Sequence, residues 1–335
     1  MSVKVGISRG LLYYRYFPLW QTFLQELGCE VILSTPTTKQ MITQGAGVAV
    51  SDLCLPVKAY FGHILSLKDR VDLLFVPRYI SIEEDAYMCP KFLGLPDMVA
   101  STIQPLPPLI DYPINYKGRK KATESLFYEK VGKLFSRDLK KIRRAYQVGL
   151  ERQGNFRCLQ RRGVSFEKAL DLSLSSSDGP GPQREVNAGE PQIGLIGRPY
   201  YLNDPFLNKG ISEKVIARGY RIMTTESLTE TEVNRQISKL SKRVYWSFGK
   251  EMVGSALHFA EDPGVKGIIN LASFGCGQDS FNSEIVSYHV KRMGNTPLLS
   301  LIFDEHWSDG GLVTRLEAFL DVIDRQGKLN RKGKG

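Results

Sequence analysis

Features that mark secreted, membrane and fibrous proteins are scarce in this sequence. The 335 residues include only five cysteines at irregular spacing, which excludes the disulfide framework of a small secreted protein. The apolar runs are strand-sized and fall well short of the roughly 20 residues that span a bilayer. No basic segment followed by an apolar run opens the chain. We therefore expect a cytoplasmic protein with neither a secretory signal nor a membrane partner.

A Gly-rich phosphate loop of the GxxxxGK[ST] type is also missing, so the chain lacks the signature of that class of ATPase. The composition is otherwise that of a globular protein, with 42% hydrophobic residues. Domains commonly hold about 100 to 200 residues, and the length therefore suits two domains.

Alternating strand-like and helix-like segments predict an α/β fold. Residues 3–8 alternate as a strand, residues 16–27 have a helical pattern, and a second strand follows. The pattern restarts at residue 192 with a strand, and a helix is predicted over 206–217. We predict two Rossmann-like, doubly wound parallel-sheet lobes with matching topology, bridged by one long basic helix.

The predicted organisation has five parts. These are an N-terminal α/β lobe over residues 1–115, a basic helical bridge over 116–171, a flexible linker over 172–191, a C-terminal α/β lobe over 192–327 and a basic tail over 328–335. The linker prediction rests on the Ser, Gly and Pro content of that segment.

The net charge of +10 is concentrated in one segment and the tail. Residues 117–168 carry 16 basic and five acidic side chains, and apolar residues recur there at three- and four-residue intervals, as in an amphipathic helix. A solvated helix face, a docking surface for an acidic protein or phosphate groups, and a nucleic-acid surface would all have this charge. No nucleic-acid-binding motif accompanies the charge, which disfavours the third interpretation.

Three of the five cysteines come at predicted strand exits or helix starts, where open α/β sheets bind their ligands. They are Cys54, Cys89 and Cys276. At a helix N-terminus the helix dipole favours the thiolate form. Cys29 and Cys158 lack this placement, and we interpret both as structural or incidental.

The spacing of the three cysteines matches no short metal signature and leaves several interpretations open. The thiolates could hold an iron–sulfur cluster, or a zinc ion together with a histidine such as His63. One of them could also be a catalytic nucleophile with two bystanders. Buried cysteine without any ligand is the common structural alternative.

Charged residues near the same predicted edges are further candidates. Arg9 and Arg198 follow the first strand of each lobe and could bind a carboxylate, a thioester oxygen or a phosphate; a salt bridge that orients the lobes is the alternative. Lys58 and His63 lie one and two helical turns beyond Cys54, so both could lie near a cluster bound there, although a helix-surface location is the default for both.

Asp304, Glu305 and His306 follow the last predicted strand of the second lobe. Glu305 and His306 are therefore candidate catalytic acid or base groups. A capping and loop role for this segment is the alternative.

Five runs of the sequence are similar to those of a known family. The runs are GISRGLLYYRYFPLWQTFLQELG, DLCLPVKAYFGH, MCPKFLGLPDM, YWSFGKEMVGSALHFAEDP and SFGCGQDS. In this order they resemble the acyl-CoA dehydratase activase-related proteins, within the wider group of 2-hydroxyacyl-CoA dehydratase D-component-like proteins. The resemblance extends over residues 3–112 and 192–325.

The resemblance implies a [4Fe–4S] cluster held by three cysteines, here Cys54, Cys89 and Cys276. It also implies an anaerobic protein that receives low-potential electrons from an ATP-dependent activase and performs or supports the dehydration or reduction of an acyl-CoA-type substrate. If the chain is itself an enzyme, the resemblance implies a 2-hydroxyacyl-CoA dehydratase-like lyase. The dehydratases work as two different cluster-bearing subunits, so the expected partner is a second dehydratase subunit or a second copy of this chain. A non-catalytic electron-transfer or activase-docking subunit is one alternative, and a zinc or thiol protein without a cluster is another.

Overall fold

A computed structural model describes residues 2–117, 122–175, 190–294, 296–306 and 309–332. Most of the predicted linker and the last three residues of the predicted tail lie outside the described residues. The chain divides into two compact units, the first made of Met1–Arg184 with Val244–Phe248 and the second of Glu185–Arg243 with Gly249–Gly335. None of the described helices has the length and apolarity needed to cross a membrane.

The first unit alternates strands and helices and ends in three helices. Its elements are β1 (Lys4–Ile7), α1 (Tyr13–Glu26), β2 (Glu30–Leu33), α2 (Lys39–Val48), α3 (Leu55–Leu67), β3 (Leu73–Phe75), β4 (Arg78–Ser81), α4 (Pro90–Leu93), α5 (Leu95–Thr102), β5 (Leu109–Ile110), β6 (Pro113–Asn115), α6 (Ala122–Gly132), α7 (Leu139–Arg161) and α8 (Phe166–Leu174).

The second unit repeats the alternation. Its elements are β7 (Gln192–Ile196), α9 (Pro199–Asn203), α10 (Ile211–Ala217), β8 (Arg221–Thr224), α11 (Glu230–Ile237), α12 (Ser247–Glu261), β9 (Val265–Ser273), α13 (Gly277–Met293), β10 (Leu298–Phe303) and α14 (Asp309–Lys332). The first two residues of α12 belong to the first unit.

Each unit contains a parallel four-stranded sheet, and the two sheets have the same strand order. The orders are β2-β1-β3-β5 and β8-β7-β9-β10. In each sheet the chain first moves to one side of the starting strand and then crosses to the other side. The topological switch point, where such sheets bind ligands, therefore lies between β1 and β3 and between β7 and β9. The predicted α/β fold class is confirmed.

The strands are apolar because helices cover the parallel sheets. In β9, eight of nine residues are buried, with only Lys266 exposed. Near-continuous burial of this kind is typical of parallel strands that are covered on both faces.

Helices α2 and α3 pack with their backbones in direct contact. A Cβ atom on Gly45 would lie 1.9 Å from the Lys58 carbonyl oxygen, and one on Gly62 would lie 2.1 Å from the Met41 carbonyl oxygen. Only glycine allows so close an approach. The contact holds α3, which begins directly after Cys54, against α2.

The basic segment forms three helices and not one. Helix α6 ends at Gly132, and Asp138 caps α7 by accepting hydrogen bonds from the Lys140 and Lys141 amides. Helix α7 packs along α1, where the buried Gln153 amide donates to the Arg15 carbonyl oxygen at 2.7 Å. All three helices belong to the first unit, and their role as a bridge between lobes stays a prediction.

The segment Val244–Phe248 joins the first unit although it is distant in sequence. Tyr87 donates its amide to the Tyr245 carbonyl at 2.8 Å and accepts from the Ser247 amide at 3.0 Å. The Phe248 ring packs edge-on against Phe92, with 6.2 Å between centroids. The first unit is therefore discontinuous in sequence.

The predicted helix over 206–217 is wrong in its first half. The structure has a short helix over Pro199–Asn203 and a second over Ile211–Ala217. Gly210 precedes the second helix in a left-handed conformation, with a φ of 65°, that interrupts helical geometry.

Candidate functional site

Arg198 lies at the exit of β7, where it is almost completely buried and anchors a polar cluster. Its Nε donates to Asp279 Oδ1 at 2.7 Å. One terminal nitrogen, Nη2, donates to the Cys276 sulfur at 3.4 Å and to Gln278 Oε1 at 3.1 Å. Because these partners follow β9, the cluster spans the switch point of the second sheet.

Asp279 holds this arrangement in place. Its second carboxylate oxygen accepts from the Ser273 amide at the end of β9, at 3.0 Å. The carboxylate therefore connects the end of β9 to Arg198, and both ion-pair partners have only 1% of their side-chain surface exposed. Loss of one partner would leave a buried charge without compensation.

Cys276 is the N-terminal cap of the 17-residue helix α13 and is buried. It follows Gly275, whose φ of 70° makes the sharp turn out of β9. The helix dipole and the Arg198 guanidinium both favour a thiolate at this position. The neighbouring Gln278 is also buried, and its Nε2 has no hydrogen-bond partner among the described residues.

The first unit holds the other two candidate cysteines in equivalent local positions. Cys54 occupies the N-cap position of α3 and is buried, and Cys89 occupies the N-cap position of α4 and is partly exposed. Their segments are neighbours, because the Lys91 ammonium donates to the Asp52 carbonyl oxygen at 3.4 Å.

The remaining two cysteines have different surroundings. Cys29 is buried before β2, and burial raises the pKa of its thiol to about 11. Cys158 is exposed within α7. None of the five cysteines forms a disulfide bond.

The three candidate cysteines share a helix-capping position and a thiol donor, and this chemistry fits an iron–sulfur cluster. Two of the thiols belong to the first unit and one to the second. In the part of the chain that the structure describes, no three His, Cys, Asp or Glu side chains are grouped closely enough to hold a metal ion. The ligand role of the cysteines stays a prediction.

Lys58 and His63 are buried in α3, so the default expectation of a helix-surface location is wrong. The ring Nε2 of His63 lies 3.1 Å from the Thr37 hydroxyl. Burial, together with the nearby Arg9 cation, lowers the pKa of His63 to about 4. The imidazole is therefore neutral near pH 7, and its Nδ1 has no partner within the described segments.

The segment after β10 makes local contacts. Asp304 accepts a hydrogen bond from the His306 amide at 2.9 Å, as in a capped turn, and His306 is exposed. Glu305 is partly buried. The catalytic role of Glu305 and His306 stays a prediction.

Sequence reasoning missed the partners of Arg198. Asp279 lies 81 residues beyond Arg198, and no local pattern indicates that the two form an ion pair. In the sequence, only the position of Arg198 after a predicted strand indicated that this residue belongs to a site. With its guanidinium bonded to three side chains, Arg198 orients Cys276, while its predicted contact with substrate is untested.

A family model agrees with part of the sequence resemblance. Residues 4–228 match the family described as the CoA enzyme activase uncharacterised domain (DUF2229). The chain belongs to this family. The match to the CoA enzyme activase domain includes Cys54, Cys89 and Arg198, and it ends before Cys276. The activase-related part of the resemblance is confirmed, whereas its dehydratase D-component part stays a prediction.

No curated protein matches the chain.

Proposed function

We propose that this member of the CoA enzyme activase domain family is an iron–sulfur protein that serves a CoA-dependent enzyme system. Cys54, Cys89 and Cys276 hold a [4Fe–4S] or related cluster. The observation that carries this proposal is the helix-capping position that these three thiols share and that neither Cys29 nor Cys158 has. Membership of the family supports the CoA-dependent setting.

A bound cluster of this kind supplies a one-electron centre and a Lewis-acidic iron. The protein's own part is to orient and stabilise the sulfur ligands. Arg198 donates to the Cys276 sulfur, and Asp279 fixes the direction of the guanidinium. Hydrogen bonds to ligand sulfur are among the factors that set the reduction potential of a cluster.

The proposed electron donor is an ATP-dependent activase, and the proposed substrate is an acyl-CoA that loses a 2-hydroxyl group in a lyase reaction. A second dehydratase subunit or a second copy of this chain completes the enzyme. This part of the proposal extends the family resemblance and rests on the same three cysteines.

Anaerobic reconstitution tests the cluster directly. The full chain is loaded with iron and sulfide, and both are then quantified together with the EPR spectrum of the reduced protein. We expect Cys54→Ala, Cys89→Ala and Cys276→Ala to lose iron, while the matched controls Cys29→Ala and Cys158→Ala retain the parent content. Parent-level iron and sulfide in Cys276→Ala would contradict the ligand assignment.

Metal competition distinguishes the zinc alternative. If the protein bound stoichiometric zinc without inorganic sulfide, and if this binding required the same cysteines and His63, the site would be a zinc site and not an iron–sulfur cluster. If the reconstituted parent bound neither iron nor zinc, the result would support the third alternative, a thiol protein without a metal.

The basic surface of helix α7 supports a second candidate function, in which the protein is a non-catalytic subunit that binds an activase. One face of α7 is buried against the first unit, and the opposite face is basic and exposed. Arg143 is 71% exposed, and Glu129, 3.8 Å away, pairs with it. Such a surface attracts an acidic partner.

Charge reversal tests docking. The test variant changes four exposed bases to Glu, namely Arg137, Lys140, Arg143 and Arg144. The control variant changes four exposed bases elsewhere, namely Lys39, Arg70, Lys242 and Lys291. We expect only the test variant to lose activase binding at low salt, and equal binding by both variants would rule out this surface.

A further inference from the structure

The turn after β1 contains two buried polar atoms that have no hydrogen-bond partner among the described residues. The Arg9 guanidinium lies 6.0 Å from the centre of the Tyr13 ring. Arg9 forms no ion pair with any described residue, and its Nε is buried and unpaired. Ser8 is 3% exposed, and its hydroxyl is also unpaired. Buried groups of this kind destabilise a protein unless a ligand or a water satisfies them.

The same turn leads into a helix N-terminus that no side chain caps. Helix α1 is 14 residues long, and its N-cap residue, Leu12, has no side chain that can accept a hydrogen bond. The Tyr13 and Arg15 amides of the first turn donate to the Gly10 and Leu12 carbonyl oxygens, so the helix offers an anion the positive end of its dipole and not these N–H groups. Leu11 has a φ of 52°, a strained conformation for a bulky residue that is characteristic of functional sites.

The turn also lines a small pocket at the switch point of the first sheet. Ser8, Gly10 and Leu11 contribute one wall, and Phe75 and Pro77 from the end of β3 contribute another. Most of the lining is apolar, and Arg9 is not part of it, so Ser8 is the polar side chain that connects the pocket to the turn. The cavity has a volume of about 20 Å³, which accommodates one oxygen-sized group.

Gly10 keeps this wall open. A Cβ atom at this position would lie 3.1 Å from the Ser8 hydroxyl and 3.2 Å from the Tyr60 ring. A larger residue would therefore crowd the unpaired hydroxyl.

The corresponding turn of the second unit differs in the partner of its arginine. Arg198 follows β7 as Arg9 follows β1, but its charge is neutralised by Asp279 at 2.7 Å. In the first unit, Glu167 and Asp171 lie near enough to Tyr13 to affect the pKa of its hydroxyl, yet neither pairs with Arg9. The first unit thus retains a positive group where the second has an internal ion pair.

We propose that the turn from Ser8 to Leu12 binds an oxyanion, the phosphate or carboxylate group of a small ligand. Arg9 supplies the charge, the Ser8 hydroxyl donates a hydrogen bond, and the N-terminus of α1 adds its dipole. This binding site goes beyond the proposed function and needs no cluster.

Isothermal titration of the full chain tests the site with three probes. Pyrophosphate tests a phosphate group, succinate tests a carboxylate, and CoA tests the phosphates of the larger cofactor. We expect at least one probe to bind the parent, with affinity reduced about 10-fold or more in Arg9→Gln. Arg9→Lys retains the charge but loses the planar fork, so its affinity should be intermediate.

Two further variants complete the experiment. Ser8→Ala should weaken the same probe without any change of charge, and Arg162→Gln, on the exposed end of α7, should bind like the parent. Thermal unfolding of each variant shows whether it is folded. Equal affinity in Arg9→Gln and the parent, or no binding of any probe by the parent at millimolar concentration, would overturn the proposal. Iron content, measured separately, reports on the cluster alone.

Discussion

Arg198 donates from Nη2 to the Cys276 sulfur at 3.4 Å and from Nε to the Asp279 carboxylate at 2.7 Å. These two hydrogen bonds connect the end of β7 to the start of α13 across the switch point of the second sheet. A residue placed by the first strand of this unit thereby orients a thiol placed by its third strand.

The Arg198–Asp279 ion pair should be essential to the stability of the second unit. Asp279→Asn leaves the buried guanidinium without a countercharge, and we expect the free energy of unfolding to fall by about 3 to 5 kcal/mol. Urea titration measures the change. Asp69→Asn is the control, because this carboxylate is 76% exposed and pairs with the neighbouring Lys68 on the surface. A similar small loss in both variants would show that the buried pair contributes little.

His63 should make the first unit sensitive to acid. Burial lowers the pKa of His63 in the folded protein to about 4, from 6.5 in the unfolded chain. Between these pH values the unfolded state binds a proton that the folded state does not. The contribution of His63 to the free energy of unfolding is therefore complete above pH 6.5 and is lost as the pH falls towards 4. The expected loss by pH 4 is about 3 kcal/mol.

Urea titrations between pH 4 and 7.5 compare the parent with His63→Gln. The variant should lose this part of the pH dependence, and the exposed His306→Gln should retain it. An unchanged slope in His63→Gln would assign the acid sensitivity to other groups.

Two glycines of α2 should respond in opposite ways to the same substitution. Gly45→Ala places a Cβ atom against the α3 backbone and should destabilise the protein by about 1 to 3 kcal/mol or more. Gly47 has open space around it, so Gly47→Ala should stabilise the helix by about 0.5 to 1 kcal/mol. Thermal unfolding of the two variants provides the comparison, and equal melting temperatures would contradict the close helix contact.

The cysteines should differ in their rates of alkylation. Cys158 is exposed and should react first, whereas Cys29 is buried with a pKa raised to about 11 and should react last at pH 7.5. Peptide mass spectrometry after timed treatment with iodoacetamide gives the order, and urea should abolish the difference. If Cys29 reacted as fast as Cys158 in the folded protein, its burial would be in doubt.

The sequence allowed the local structure to be predicted better than the long-range contacts. The alternation that leads from β1 to β2 is a local pattern, and the prolines that follow Cys54 and Cys89 mark helix starts. The ion pair of Arg198 with Asp279 depends on how the strands are ordered, which no local pattern contains. The ligand role of Cys276 was reached through its place after a strand and through the family resemblance, and reconstitution will test it.

The wrong expectations have physical reasons. A helix-surface location was assumed for Lys58 and His63, but α3 has 11 of its 13 residues buried, so it has almost no solvent face. The basic segment was predicted as one helix because its apolar spacing continues, whereas the Gly132 and Asp138 region ends one helix and caps the next.

The discontinuity of the first unit has a consequence for biosynthesis and for protein engineering. A ribosome completes residues 1–184 before it makes Val244–Phe248, so the newly made N-terminal unit must wait for Tyr245 and Ser247 to hydrogen-bond with Tyr87. Truncation after residue 184 would likewise expose the apolar surface of Phe92 that Phe248 covers. An N-terminal fragment expressed alone should therefore be less stable than the same residues in the full chain, and supplying residues 244–248 as a separate peptide is a direct way to restore it.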